Sequence, residues 1–275
     1  MATTENQAQT PALLTANVPF VSGHGRAQVV VFLFLVFIAV AAFSVFSNLL
    51  QLSFLSEAAE GGGVSQEAAD MNDTRQGAVW IIHLVVRLAL AVAFLLWLHR
   101  ASGNMAALGN TKAKIEYTPG WAVGSFFIPF ANLFLPYRAV SEVWVRSEPP
   151  VREEGGGLAF APRPPTTLVL AWWVTWLVSN FIGRAASRFG DGADTIETLQ
   201  MVTWAAILSD VLSIVAAVLA VMVVRSIDRR QEERARHVVY SPDSPPPPPL
   251  FRPQPQTAEP HGTEPSHAPP PTSPS

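Results

Sequence analysis

The stretch "WAVGSFFIPFANLFLPYR", Trp121 to Arg138, is apolar enough to enter a bilayer, yet it carries Pro129, Asn132 and Pro136. Each proline lacks an N–H and its ring crowds the turn before it, so a straight lipid-facing helix does not run through both. Inside hydrocarbon, the backbone groups a proline frees must be covered by protein or by water. The stretch therefore either crosses as a kinked helix or enters without crossing. Which of these holds sets the number of spans, and with it the fold.

On either side of it the chain is unmistakably apolar. Of its 275 residues, 49% are hydrophobic and only 14% are charged, where a soluble domain carries about 25% charge. The apolar residues come in blocks. "VVVFLFLVFIAVAAFSVFSNLLQLSFL" (29–55) holds no charge, and "AVWIIHLVVRLALAVAFLLWLHR" (78–100), "TTLVLAWWVTWLVSNFIG" (166–183) and "LQMVTWAAILSDVLSIVAAVLAVMVV" (199–224) follow. A bilayer core of roughly 30 Å needs about 20 helical residues, so each block is a candidate span. A cleaved signal peptide is the rival reading of the first block, because "AVA" at 39–41 resembles a cleavage site. The apolar run continues well past it and its leader is weakly basic, which argues against cleavage.

The expected organisation is a polar segment at 1–26, a membrane domain at 27–237 and a tail at 238–275. Spans are expected at about 29–53, 78–99, 166–184 and 199–224, with the broken segment at 119–138. Residues 56–76 read as an acidic, Gly-rich loop. "AVSEVWVRS" could begin a short amphipathic helix before a Pro/Gly linker. "RSIDRRQEERAR" (225–236) is expected to prolong the last span, with opposite charges at helical spacing. "SPDSPPPPPLFRPQPQ" and the rest of the tail are low-complexity, expected to be disordered with polyproline II character.

Lys and Arg placement separates the topologies, since they accumulate on the cytoplasmic side. With four spans and both termini inside, 13 Lys and Arg outside the spans face the cytoplasm and 3 face out. With the 121–138 stretch as a fifth span, the better orientation has 10 inside and 6 outside. The count favours four spans with a re-entrant or in-plane segment entered from the cytoplasmic side. The fold class expected is an all-α membrane protein of four transmembrane helices plus that Pro-broken segment. The expected location is a bacterial plasma membrane with both termini cytoplasmic.

The runs "FLLWLHRASGNMAALG", "YTPGWAVGSFFIPFANLFLPYRAVSEVWVRS", "AWWVTWLVSN" and "VMVVRSIDRRQ" together resemble the bacterial multi-pass membrane family known as domain of unknown function 4328. The resemblance spans roughly residues 29–235. Its most specific part is the Pro-Gly-Trp-Ala-Val, Phe-Ile-Pro, Asn-Leu, Pro-Tyr series. Gly124 to Phe127 departs from it, lacking the tryptophan expected beside Phe-Ile-Pro. The resemblance implies a bacterial multi-pass membrane protein and implies no activity.

Ionisable residues at bilayer depth cost about 2.5–3.5 kcal/mol on insertion scales and are functional candidates by default. Arg87 and Asp210 lie on spans of the same direction, both roughly 13–17 Å below the outer surface at 1.5 Å per residue. Opposite charges at equal depth suggest an ion pair, as structural glue or as a substrate or proton site. His83 is one turn outward of Arg87 and, with Trp80, is placed to join Asn180 and Arg184 in an outward polar cluster. Trp173, Trp176, Asn180 and Arg184 share a stripe expected to pack on the Phe-rich segment, with Asn132 satisfying the broken backbone beside Pro129. Ala206, Asp210, Ser213, Ala217 and Ala220 form a small-residue ladder suited to close helix contact. The candidate intramembrane network is thus Arg87, Asp210, His83, Asn132, Asn180 and Arg184.

Several classes find no support. The chain has no cysteine, which excludes disulfides, thiolate metal sites and cysteine nucleophiles. No metal-ligand spacing, cofactor motif, phosphate-binding glycine loop or catalytic triad order is present, and a net charge of −3 without a basic face gives no footprint for nucleic acid. His24, His99 and His237 are scattered. The lipid bilayer is the one partner the composition demands. The proline tail could recruit a protein, since polyproline II segments bind with little entropy loss. The expected role is an interaction or accessory module rather than an enzyme. The alternative is a small transporter or channel using Arg87, Asp210 and the broken segment around Asn132.

Overall fold

Two three-residue strands bring together the two ends of the described residues. In the computed structural model, residues 14–61, 63–109, 115–152, 158–159 and 167–242 are described. Strand β1 (Leu14–Ala16) is followed by α1 (His24–Ala59), α2 (Gln66–Ala107), α3 (Pro119–Gly124), a 3-10 turn (Ala131–Leu133) and α4 (Leu135–Arg146). Then come a two-residue hairpin of β2 (Val151–Arg152) and β3 (Leu158–Ala159), α5 (Thr167–Gly190), α6 (Ile196–Ala235) and β4 (Val238–Tyr240). β1 lies parallel to β4, Leu14 opposite Val238. Both ends of the described chain therefore sit together, at what we call the termini end of the bundle. The short connections 60–65 and 191–195 mark the opposite, loop end.

α1, α2, α5 and α6 are long and apolar enough to cross a membrane. Their apolar residues lie on all faces, which is the mark of a helix surrounded by protein on one side and hydrocarbon on the other. Phe32, Leu35, Phe43 and Phe46 on α1 point outward, as do Ile81, Val85, Leu88 and Val92 on α2 and Val211, Val215, Val218 and Met222 on α6. So much contiguous apolar surface is foreign to a soluble monomer. The protein is an all-α membrane protein.

α6 is the central helix, packed along both α1 and α5, while α1 also packs along α2. Asp210, Ser213, Ala217 and Ala220 are buried on its inner faces, where small side chains let backbones approach. On α5, Gly183 meets Ser209, whose hydroxyl donates to the Ser179 carbonyl at 2.9 Å. The loop expected at 56–76 is much shorter. α1 runs to Ala59, and α2 starts at Gln66 with Ser65 as N-cap, its hydroxyl accepting from the Ala68 N–H, and Glu67 in the first turn. A capped start with acidic residues beside it is good helix chemistry despite the polar composition. Arg75 then ties this extension to α1, donating to Ser47 Oγ and to the Ser47 carbonyl, and it also donates to Asn72 Oδ1 within α2.

The broken stretch forms no fifth helix long enough to cross a membrane. α3 is only six residues long, capped by Thr118 with Pro119 at its first turn, and backbone turns carry the chain on to α4. At Phe130 φ is +62°, which interrupts any continuous helix. The segment begins beside Gly103 near the end of α2 and α4 finishes at Ser147, whose hydroxyl accepts from Gln231 Nε2 at 3.0 Å. Both contacts belong to the termini end. Between them, Phe126 packs edge-on to Phe94 and Trp173, and the Trp173 indole donates to the Leu133 carbonyl at 2.9 Å. Trp173 lies about 9 Å along α5 from its start at 1.5 Å per residue, so the segment reaches partway into the bundle and returns.

A polar knot fastens its exit. Gln231 donates to the Ala101 carbonyl and accepts from Asn104, and Arg234 donates to the carbonyls of Leu108 and Glu148. Arg230 lies over the Trp144 ring at 4.1 Å. The helical extension after 224 is thus a clamp holding the ends of α2 and α4. Residues 238–240, which composition assigns to the tail, form β4. The proline-rich remainder from 243, and residues 1–13 of the polar segment, lie outside the described residues.

Candidate functional site

α2 and α5 flank the bundle without packing closely along each other. At the termini half, the aromatic contacts of Phe94 with Phe126 and Trp172 fill the space between them. No such wedge reaches the loop half. There the four helices border a half-open cavity of about 750 Å³.

Helical spacing builds its walls. α1 presents Ser44 and Asn48, four residues apart; α2 presents Gln76, Trp80, His83 and Arg87; α5 presents Asn180, Arg184 and Ser187; α6 presents Ala206, Ser209 and Asp210. Each set recurs at three or four residues and so shares a face. Asp191 lies at the loop-end rim.

Asp210 is 8% exposed. Its Oδ2 accepts from Ser44 Oγ at 2.7 Å and from Asn48 Nδ2 at 3.3 Å. Two neutral donors from α1 thus hold a carboxylate of α6, and both use the same oxygen. Arg87 has a different surrounding. Its guanidinium carbon is 5.8 Å from the Phe37 ring centroid, and that ring also lies against His83 at 5.2 Å. Arg87 and Asp210 feel one another electrostatically, but the direct ion pair suggested by their equal depth is not made: no approach within 4.0 Å exists between them. The donors of Ser44 and Asn48 take the place that the guanidinium was expected to fill.

Five of the six candidate residues, Arg87, Asp210, His83, Asn180 and Arg184, line this one cavity. Asn180 turns its amide back to the Trp176 carbonyl at 2.7 Å. His83 Nε2 is buried without a hydrogen-bond partner. Arg184, exposed on α5, makes no ion pair or hydrogen bond among the described residues.

Asn132 does not join them. It sits in the 3-10 turn of the broken segment, which packs on the termini half of α5, while the cavity occupies the loop half. Its assigned task is also done by another group: the Trp173 indole, not the Asn132 amide, satisfies a carbonyl of the broken backbone. Ser44, Asn48, Gln76 and Ser209 complete the site and were not singled out from sequence. A polar stripe at 44, 47, 48 and 51 within an otherwise apolar helix was the available signal.

What this arrangement can do is hold a polar group. Among the described residues, no three of His, Asp and Glu are grouped to hold a metal ion. The cavity instead offers separated charges, hydroxyls and amides at a depth where the outer faces of the helices are apolar.

The chain matches, over residues 60–229, the family described as a domain of unknown function (DUF4328). The match covers α2 to most of α6, and leaves out α1 with its Ser44 and Asn48. No curated protein and no solved structure matches the chain. Extending over more than half of the chain and including the broken segment, the cavity arginines and Asp210, the match shows that this protein belongs to the DUF4328 family.

Proposed function

We propose that this protein is a non-enzymatic, multi-pass component of a bacterial plasma membrane that takes a small polar ligand into the loop-end cavity from the outer side. The observation that carries the reading is the cavity itself: about 750 Å³ of space bordered by charged and polar side chains set among apolar ones, within four helices whose outward faces are apolar. Intramembrane ionisable groups at such a cavity mark ligand or ion pathways far more readily than inert structure. The excess of Lys and Arg at the termini end supports an orientation with both termini cytoplasmic.

The absence of cysteine gives a clean background for the test. Single cysteines at Asn180, Val178 and Glu148 would be probed in intact cells with a membrane-impermeant maleimide. Asn180 lines the cavity and Val178 faces outward at the same depth. Labelling at Asn180 but not Val178, with Glu148 shielded until lysis, is the expected pattern. An unreactive Asn180 would remove the water-filled cavity, and labelling at Glu148 in intact cells would invert the orientation.

An interaction or accessory role is the second reading. It draws on the position of β4, which pairs with β1 at the termini end just before the proline-rich tail begins in the sequence. Recruitment of a protein by the proline-rich tail requires that deleting residues 243–275 remove co-purifying partners.

A further inference from the structure

We infer that the cavity binds a zwitterionic phosphate ester of the phosphoethanolamine type, its phosphate between Arg87 and Arg184 and its ammonium at Asp210. This rests on the cavity being a ligand site, and it names the chemistry of the ligand. Arg87 and Arg184 reach the space from α2 and α5, and neither makes an ion pair or a hydrogen bond with any described residue. Guanidinium groups match phosphate oxygens in a bidentate fork, and both side chains are exposed where they border the cavity, open to such a partner. Asp210 stands on the other wall. Ser44 and Asn48 both donate to its Oδ2, which leaves Oδ1 without a described partner.

Charge arithmetic favours a zwitterion over a simple anion. The cavity carries two arginines, Arg87 and Arg184, and two aspartates, Asp210 and the rim residue Asp191. A neutral ligand with separated charges leaves that balance intact, whereas an anionic ligand would face the two carboxylates uncompensated. The route is also built in: α2 and α5 border the cavity without closing on each other, so a headgroup can enter sideways from the adjoining leaflet with its acyl chains left in lipid. A water-soluble phosphoethanolamine ester would reach the same groups from the loop end.

The full chain, reconstituted in nanodiscs, separates these sources. Native mass spectrometry would compare retention of phosphatidylethanolamine and phosphatidylglycerol, and calorimetry in detergent would use glycerophosphoethanolamine as the soluble probe. Preferential retention of phosphatidylethanolamine, or binding of the soluble ester, is expected, each weakened about tenfold or more by Arg184→Gln, since hydrogen bonds to charged groups have that weight. Arg184 is exposed and unpaired, so its replacement leaves the fold intact; Arg87→Lys, which keeps the charge but loses the fork, is the second variant. Equal retention of phosphatidylglycerol, or binding indifferent to both variants, would overturn the assignment. If Asn180→Cys still labels from outside in that case, the cavity survives as a site for other chemistry; if it does not, both readings fall together.

Discussion

Trp173 donates its indole N–H to the carbonyl of Leu133 at 2.9 Å. With that bond a membrane helix takes up a backbone oxygen of the segment that Pro129 and Pro136 prevent from being helical throughout. Such groups have no water to turn to at membrane depth, so they need a protein partner. The same ring packs edge-on against Phe126 and stacks on Trp176 at 4.7 Å, which keeps the indole aimed at the carbonyl.

Trp173→Phe should therefore destabilise the protein more than Trp172→Phe does. Both variants lose similar ring volume from the same aromatic cluster, but only the first strands a carbonyl, at a cost of about 1–3 kcal/mol. Thermal unfolding in detergent measures the difference. Equal losses from the two variants would mean that packing alone seats the segment.

A second close contact concerns Gly183. A Cβ placed there would lie 2.8 Å from Ser209 Oγ, and that hydroxyl is already committed to the Ser179 carbonyl. Gly183→Ala must either push α5 from α6 or break the bond, costing about 1–3 kcal/mol by overpacking. Adding Ser209→Ala should restore part of the loss, because the obstructing oxygen is then gone. A double variant no more stable than Gly183→Ala would locate the strain in the helix backbones instead.

The four spans were legible because an uncharged run of twenty or more apolar residues has few other uses. Arg87, His83, Asn180, Arg184 and Asp210 could be grouped by counting depth along helices of known rise. Their partners could not. Ser44 and Asn48 are small polar residues whose importance comes only from lying opposite Asp210, 166 and 162 positions along the chain. The pairing of Leu14–Ala16 with Val238–Tyr240 was invisible for the same reason: three-residue strands carry no periodicity, and the pairing spans almost the whole described chain. Residues 66–76 misled by composition, since Ser65, Glu67 and the Arg75 bonds make a helix where acidic and polar content suggested a loop.

His24 illustrates a long-range partner at the other end of the bundle. It stands ahead of the apolar run that opens at residue 29, and its Nδ1 lies 2.7 Å from Asp228 Oδ2 on the extension of α6. The hydrogen bond to Asp228, and then its charge, raise the histidine above its ordinary value of 6.5. A raised folded-state value means that the contact stabilises the protein fully below about pH 6.5 and loses that contribution as pH climbs through the higher value. The melting temperatures of the wild type and His24→Ala should accordingly differ most at mildly acid pH and converge above neutrality. A gap that widens with pH would reverse the assignment.

The partners of Asp210 make the last expectation the sharpest. If Ser44 and Asn48 hold the carboxylate, then Ser44→Ala and Asp210→Asn should be strongly coupled in a double-mutant cycle. A hydrogen bond to a charged group contributes about 1.5–3 kcal/mol. The coupling of Arg87→Gln with Asp210→Asn should be smaller, because no direct contact joins those two side chains. Exchanging the charges, as Arg87→Asp with Asp210→Arg, should not rescue the protein level lost in either single variant. The introduced arginine would meet the donors of Ser44 and Asn48 in a site where Asp210 is only 8% exposed. Full rescue by the exchange would show that the two charges meet directly in the membrane, and would take from Ser44 and Asn48 the role assigned to them.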